Sequence, residues 1–160
     1  MSFNKTIAVA LAALLVQAAL WSGPVRAAGN VEVEADQMEI IDAEHKTIFS
    51  GNVVSTRPSE TIHSDEMIVT TSEVKQTDGT TKTITENVDA KGHVVITTKT
   101  QKITGDWAKF KIQTNELEVG GNVLVVQGES KLKGDRLVVD LNTNHLQMSG
   151  GRVKGSFVPK

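Results

Sequence analysis

Four aspartates and four glycines recur along this chain at fixed distances. Asp36, Asp65, Asp106 and Asp135 each open a stretch with apolar residues two and four places on: Met38 and Ile40, Met67 and Val69, Ala108 and Phe110, Leu137 and Val139. Gly51, Gly121 and Gly150 follow their aspartates by 15 residues (36 to 51, 106 to 121, 135 to 150), whereas Gly92 follows Asp65 by 27. Each of the first three glycines precedes the next aspartate by 14, so the period is 29 residues with one insertion of 12. Other positions keep the same phase. Phe49, Ala90, Val119 and Met148 stand two places before the glycines; Val53, Val94 and Val123 stand two after; Ile62, Ile103 and Leu132 stand three before the next aspartate. A single unit of this length cannot bury its apolar face, so stacked units must share one continuous interior.

Within each unit the local period is 2. Leu137-Val-Val-Asp-Leu141 and Asn115-Glu-Leu-Glu-Val119 alternate as half-buried strands do, and Val, Ile and Thr abound. Turn residues interrupt at short intervals, at Ser50-Gly51-Asn52, Asp78-Gly79, Lys91-Gly92, Gly120-Gly121-Asn122, Asn142-Thr-Asn144 and Ser149-Gly150-Gly151. The expectation is an all-β chain with about four short strands per unit. Residues 72–87, centred on Asp78-Gly79 and poor in apolar side chains, read as a hairpin projecting from the repeating body.

The first 27 residues are set apart. Lys5 supplies a positive start, residues 7–20 are apolar or small except for Gln17, and Val25-Arg26-Ala27 places small residues at −3 and −1 of a cut before Ala28. The apolar run is shorter than the roughly 20 residues of a membrane span. The expectation is a cleaved signal peptide followed by one domain, residues 28–160. No cysteine is present, so neither a disulfide framework nor a lipid-anchored cysteine is available; a bacterial periplasm fits such an exported chain. Cleavage removes Lys5 and Arg26 and no acid, leaving 15 basic against 19 acidic residues. That balance excludes bulk attraction for nucleic acid.

Stacked units allow a closed barrel or an open, twisted roll with unpaired ends, and a repeating stack more naturally gives the second. Its interior would be lined by Met38, Ile40, Phe49, Met67, Val69, Phe110, Ile112, Val119, Leu137, Val139 and Met148. Aromatic residues make up only 4% of the chain, so this interior is aliphatic and Met-containing, a surface that adapts to flexible hydrocarbon rather than to sugar rings or bases. The same pattern also describes a sandwich whose side chains fill one another's gaps. Periodicity does not separate a vacant interior from a filled one.

No catalyst is nominated. His45, His63, His93 and His145 lack ligand spacing and sit near predicted turns or strand ends; the repeated aspartates fall at repeat boundaries, where Asp commonly caps turns. No nucleophile elbow, P-loop or dinucleotide fingerprint occurs. No metal and no cofactor are expected.

The leader, then Val33-Glu-Ala-Asp-Gln-Met-Glu-Ile40 and Ile48-Phe-Ser-Gly-Asn-Val53, echoed by Gly121-Asn-Val-Leu-Val125 and Gly134-Asp-Arg-Leu137, resembles the OstA-like family of periplasmic lipopolysaccharide-transport proteins. In size and layout the resemblance is to the soluble bridging member. It implies a twisted antiparallel β-jellyroll, open at both ends, whose apolar groove shields lipopolysaccharide acyl chains. It also implies end-to-end joining of copies, and partnership with related jellyrolls of the inner-membrane complex and the outer-membrane assembly protein. Arg152 and Lys154 depart from the pattern, standing where the preceding unit has Val123 and Val125. Unpaired terminal strands invite edge-to-edge contact, which places docking edges at 31–41 and 153–158. The competing readings are a structural β-repeat scaffold, a membrane-anchored relative that keeps its N-terminal helix, and a small carbohydrate-active enzyme.

Overall fold

A computed structural model describes residues 31–158 of the protein; the leader lies outside the described residues. Ten strands make one antiparallel sheet: β1 (Glu32–Glu34), β2 (Gln37–Ile41), β3 (Lys46–Arg57), β4 (Glu60–Lys75), β5 (Thr81–Thr98), β6 (Lys102–Lys111), β7 (Glu116–Gln127), β8 (Ser130–Asp140), β9 (His145–Ser149) and β10 (Lys154–Ser156). Helix is limited, among the described residues, to one 3-10 turn at Asp42–Glu44. The strands follow one another as a meander, with β1 and β2 both on β3 at one end and β9 and β10 both on β8 at the other. The sheet does not close on itself, so each end leaves an edge.

The units contain fewer and longer strands than the turn signals suggest. Ser50-Gly51-Asn52, Lys91-Gly92 and Gly120-Gly121-Asn122 lie inside β3, β5 and β7 rather than between strands. At each site two left-handed residues in succession, Gly51 and Asn52, Gly92 and His93, Gly121 and Asn122, stand where the register shifts. These are bulges: Gly51 and Asn52 together oppose Asp65, and Gly121 and Asn122 oppose Asp135. A bulge and a hairpin turn demand the same residue types because both require positive φ, which is why composition alone cannot tell them apart.

The Asp-to-Gly spacing is a spatial contact. A Cβ on Gly51 would lie 2.5 Å from Asp36 Oδ2, and Gly92, Gly121 and Gly150 meet Asp65, Asp106 and Asp135 in the same way. Asp36 Oδ2 accepts from Asn52 Nδ2 at 2.8 Å, while Asp65 Oδ2 lies 2.7 Å from His93 Nδ1. The hydrogen bond with Asp65, reinforced by its charge, holds the His93 imidazole above its ordinary pKa. Asp36, Asp65 and Asp106 therefore each meet a mid-strand corner rather than cap a loop between strands, whereas Asp135 meets Gly150 in the connection between β9 and β10. The corners divide the long strands, and the sheet with them, into two half-sheets.

The repeat positions become rows of side chains. Across the first half-sheet Met38, Phe49, Met67, Ala90, Ala108, Val119, Leu137 and Met148 are successive cross-strand partners. Across the second, Val33, Ser55, Ile62, Ile96, Ile103, Val125 and Leu132 do the same. Residues from both half-sheets join in one buried cluster, which includes Val94, Ile96, Ile103, Val119, Val123 and Leu137. Small residues admit this packing at the corners. A Cβ on Gly105 would come 2.6 Å from Val119 Cγ1, and one on Gly134 equally close to Met148 Cγ.

β4 and β5 continue past the body as a paired extension, Thr71 to Lys75 against Thr81 to Thr85. Its tip is closed by Gln76 and Thr80, with the Gln76 N–H donating to the Thr80 carbonyl at 2.7 Å and the Thr80 N–H donating to Asp78 Oδ1 at 2.9 Å.

Candidate functional site

The buried cluster draws on β5 to β8, with Ile62 of β4 and Met148 of β9 packed against it, and a hollow adjoins it toward the β1–β3 end. A cavity of about 570 Å³ lies between the half-sheets, lined by residues of β1 to β7 together with Val31 before β1 and the turn residue Ile112. That volume falls within the roughly 300–1,000 Å³ of small-molecule sites. Phe49, Met67, Val69, Ala90, Ala108 and Phe110 from the first half-sheet face Ile62 and Ile96 from the second. Met38 lines the cavity yet is 51% exposed, so the space opens at the β1–β2 edge.

The hollow has a cause in the row of cross-strand partners. Where that row holds Val119 and Leu137 both are fully buried and the interior is filled; where it holds Ala90 beside Ala108 the side chains stop short and the space remains. Alanine at two adjacent core positions withdraws the bulk that a Val or Leu would supply.

Met38, Ile40, Phe49, Met67, Val69, Phe110 and Ile112, all nominated by the pattern, line this cavity. The other four nominees lie elsewhere. Val119 and Leu137 sit in the packed cluster with no exposed surface, and Val139 and Met148 pack against it. Periodicity assigns a face and not an occupancy, so it could not tell the filled end from the hollow one. The nominated lining also left out Ala90 and Ala108, although both hold repeat positions. Ile62 and Ile96, from the second half-sheet, held a legible repeat phase too. Arg57 carried no apolar signal at all.

Polar groups are sparse here. Ser55 is buried in the lining, and Arg57 and Glu32 are the cavity's ionisable residues. Among the described residues no three His, Cys, Asp or Glu side chains are grouped to hold a metal ion. His45 and His93 sit at positive φ in a turn and a corner, His145 begins β9, and His63 is exposed within β4.

Residues 32–145 match the family model described as LptA/(LptD N-terminal domain) LPS transport protein, and residues 102–157 match it again. The chain belongs to that family. Two overlapping matches to one model accord with a sequence built of like units. The crystal structure of LptH from Pseudomonas aeruginosa, described as the LptA homologous periplasmic component of the conserved lipopolysaccharide transport device, aligns with a TM-score of 0.66. The alignment covers 81% of this chain and 95% of that one at 17% identity, a likeness of fold. No curated protein matches the sequence. An open, all-antiparallel β-jellyroll of an LPS-transport family, close to LptA, is therefore what the chain is; the family is one of transporters rather than enzymes.

Proposed function

We propose that this protein is a soluble periplasmic carrier that shelters lipopolysaccharide acyl chains in its cavity and forms part of a bridge between the inner-membrane and outer-membrane assemblies. The observation that carries the proposal is the apolar cavity opening at an unpaired sheet edge. An acyl chain cannot cross water unaided, since each exposed methylene costs about 0.8 kcal/mol. An apolar cavity supplies cover from water, which suits a lipid held briefly and passed on.

Passage from one copy to the next, or to a related jellyroll, requires unlike ends that fit. The β1–β2 edge presents Met38, and the β9–β10 end exposes Leu146, Val153 and Val158, with Phe157 72% exposed. Apolar side chains on open edges are what edge-to-edge pairing would cover. Head-to-tail contact of this kind gives an open chain of copies rather than a ring.

Photocrosslinking in cells tests the reading. A photoreactive residue replacing Phe110, inside the cavity, captures lipopolysaccharide, whereas one replacing the fully buried Leu137 does not. Ile40→Asp abolishes capture from neighbouring positions. Absence of a lipid adduct at Phe110, with the protein exported and folded, refutes the carrier. Mass spectrometry of the exported protein decides the leader, with loss of residues 1–27 expected for a soluble bridge.

A further inference from the structure

The last strand carries a lysine, Lys154, where the 29-residue phase calls for an apolar residue, and the register shows how it is accommodated. Arg136 lies opposite Gly120 on one side and Ser149 on the other; Lys133 likewise lies opposite Leu124 and Lys154. Along β7 that is four steps (120 to 124), and along the last strand it is five (149 to 154). The final corner therefore holds one extra residue. A slip of one residue turns every side chain beyond it to the other face of a sheet. Gly155 takes the inward place opposite Leu132, which packs on the buried cluster, and Lys154 stands on the outer face beside Lys133.

This leaves two exposed lysines directly opposite one another, an unfavourable pair. Among the described residues neither has a carboxylate in ion-pair range, whereas Lys91, Lys109, Lys111 and Arg136 each have one 2.6 to 3.6 Å away. The far edge of the sheet carries the complement. Residues 31–45 contain six acids and no lysine or arginine, while residues 141–160 contain three bases and no acid. One row of cross-strand partners begins at Glu34 on β1, passes through His63 and Leu124, and ends at Lys133 and Lys154. Glu34 also lacks an ion-pair partner among the described residues. Gln37 and Ser149 are the two ends of a second row, and Met38 and Met148 of a third.

We propose that the β1–β2 edge of a second copy docks on β9–β10 in the register that continues all three rows, keyed by that copy's Glu34 against the Lys133–Lys154 pair. This rests on the end-to-end reading above and adds what sets its order and alignment. An acidic edge attracts a basic one, and two acidic or two basic edges repel, so unlike ends are selected. In this register Met148 meets the next copy's Met38, which carries the apolar row across the junction and covers the open rim of the cavity.

The test is sedimentation of the exported protein beside Glu34→Lys and Lys154→Glu. Wild type should self-associate, and less so as salt rises from about 0.1 to 1 M, where screening shortens to about 3 Å. Each reversal should weaken self-association about tenfold, the swing from an attractive exposed pair to a repulsive one, and an equimolar mixture of the two should recover it. Alignment is read separately with cysteines in the otherwise unchanged chain, which has none of its own. Mixed and mildly oxidised, Gln37→Cys and Ser149→Cys copies should link to each other. Met38→Cys should not link to Ser149→Cys, because position 38 faces the cavity. A wild type that stays monomeric at both salts, reversals that associate undiminished, a mixture no better than its parts, or linkage favouring Met38→Cys each overturns the proposal; monomeric wild type leaves the basic edge to a partner other than this chain. The carrier reading is measured apart, by binding of the neutral fluorescent probe N-phenyl-1-naphthylamine to the same samples. Failure of wild type to bind the probe overturns that reading and not the junction.

Discussion

Replacing Ala108 by leucine asks directly whether the interior is hollow. Ala108 is 6% exposed, faces the cavity, and is flanked in its row by Ala90 and Val119. The substitution adds three carbons. In a filled core they would be forced against neighbours, and overpacking of that kind costs typically 1–3 kcal/mol. Beside a vacancy of about 570 Å³ they have room, and burying them yields about 0.8 kcal/mol each, or roughly 2.4 kcal/mol. Fixing the longer side chain takes back about 0.5–1 kcal/mol. The net expectation is a stabilisation of about 1–2 kcal/mol, together with weaker binding of an apolar probe whose space has been taken. Val119→Leu, with the same direction of change at a fully buried site, should destabilise. Urea unfolding followed by circular dichroism reads both, provided the slope with denaturant stays constant. If Ala108→Leu loses stability to the same extent as Val119→Leu, the vacancy is not real and the division into hollow and filled ends fails.

Leu137→Ala should cost about 3–5 kcal/mol by the same measurement, because a side chain with no exposed surface leaves a closed gap. Gly121→Ala puts a Cβ onto Asp106 at φ +77, so a loss of about 2–3 kcal/mol is expected; adding Asp106→Ala should relieve the overlap and leave only the backbone share of about 1 kcal/mol. His93 is raised above its ordinary pKa of about 6.5 by Asp65, so its contribution is complete below that value and disappears as pH climbs through the raised native one. His93→Asn, which copies the residue at the Gly51 and Gly121 corners, should erase the loss of stability seen as pH rises above about 6.5 in unfolding experiments, and a native titration midpoint at or below 6.5 in NMR would contradict the assignment. Excising residues 72–83 from the β4–β5 extension should leave the circular dichroism spectrum and probe binding essentially intact, since that segment stands outside the buried cluster and the cavity lining.

The repeat made much of this architecture readable. Phase alone aligned Met38, Phe49, Met67, Ala90, Ala108, Val119, Leu137 and Met148 in sequence, and the sheet aligns them in space, because a 29-residue unit returns each position to the same row. The Asp–Gly spacing was equally visible, yet its meaning was not. Gly51-Asn52 satisfies a hairpin turn and a bulge alike, and only pairing on both sides of it shows the strand running through. Vacancy was illegible for a different reason. It depends on the summed volume of residues from two half-sheets, and Ile62 or Ile96 approaches Phe110 only after the corners have folded the layers together. Arg57 shows the limit most clearly. A lone arginine before Pro58 looks like an ordinary solvated turn residue until Phe110 is found beneath it.

The corners have a mechanical consequence. Since β3, β5 and β7 each bend at their own Asp-tethered kink, spreading the two layers to let cargo in from the side would have to spring several latches together. The body is therefore a stiff gutter rather than a clamshell, and the easiest way in is lengthwise, past Met38 at the exposed rim.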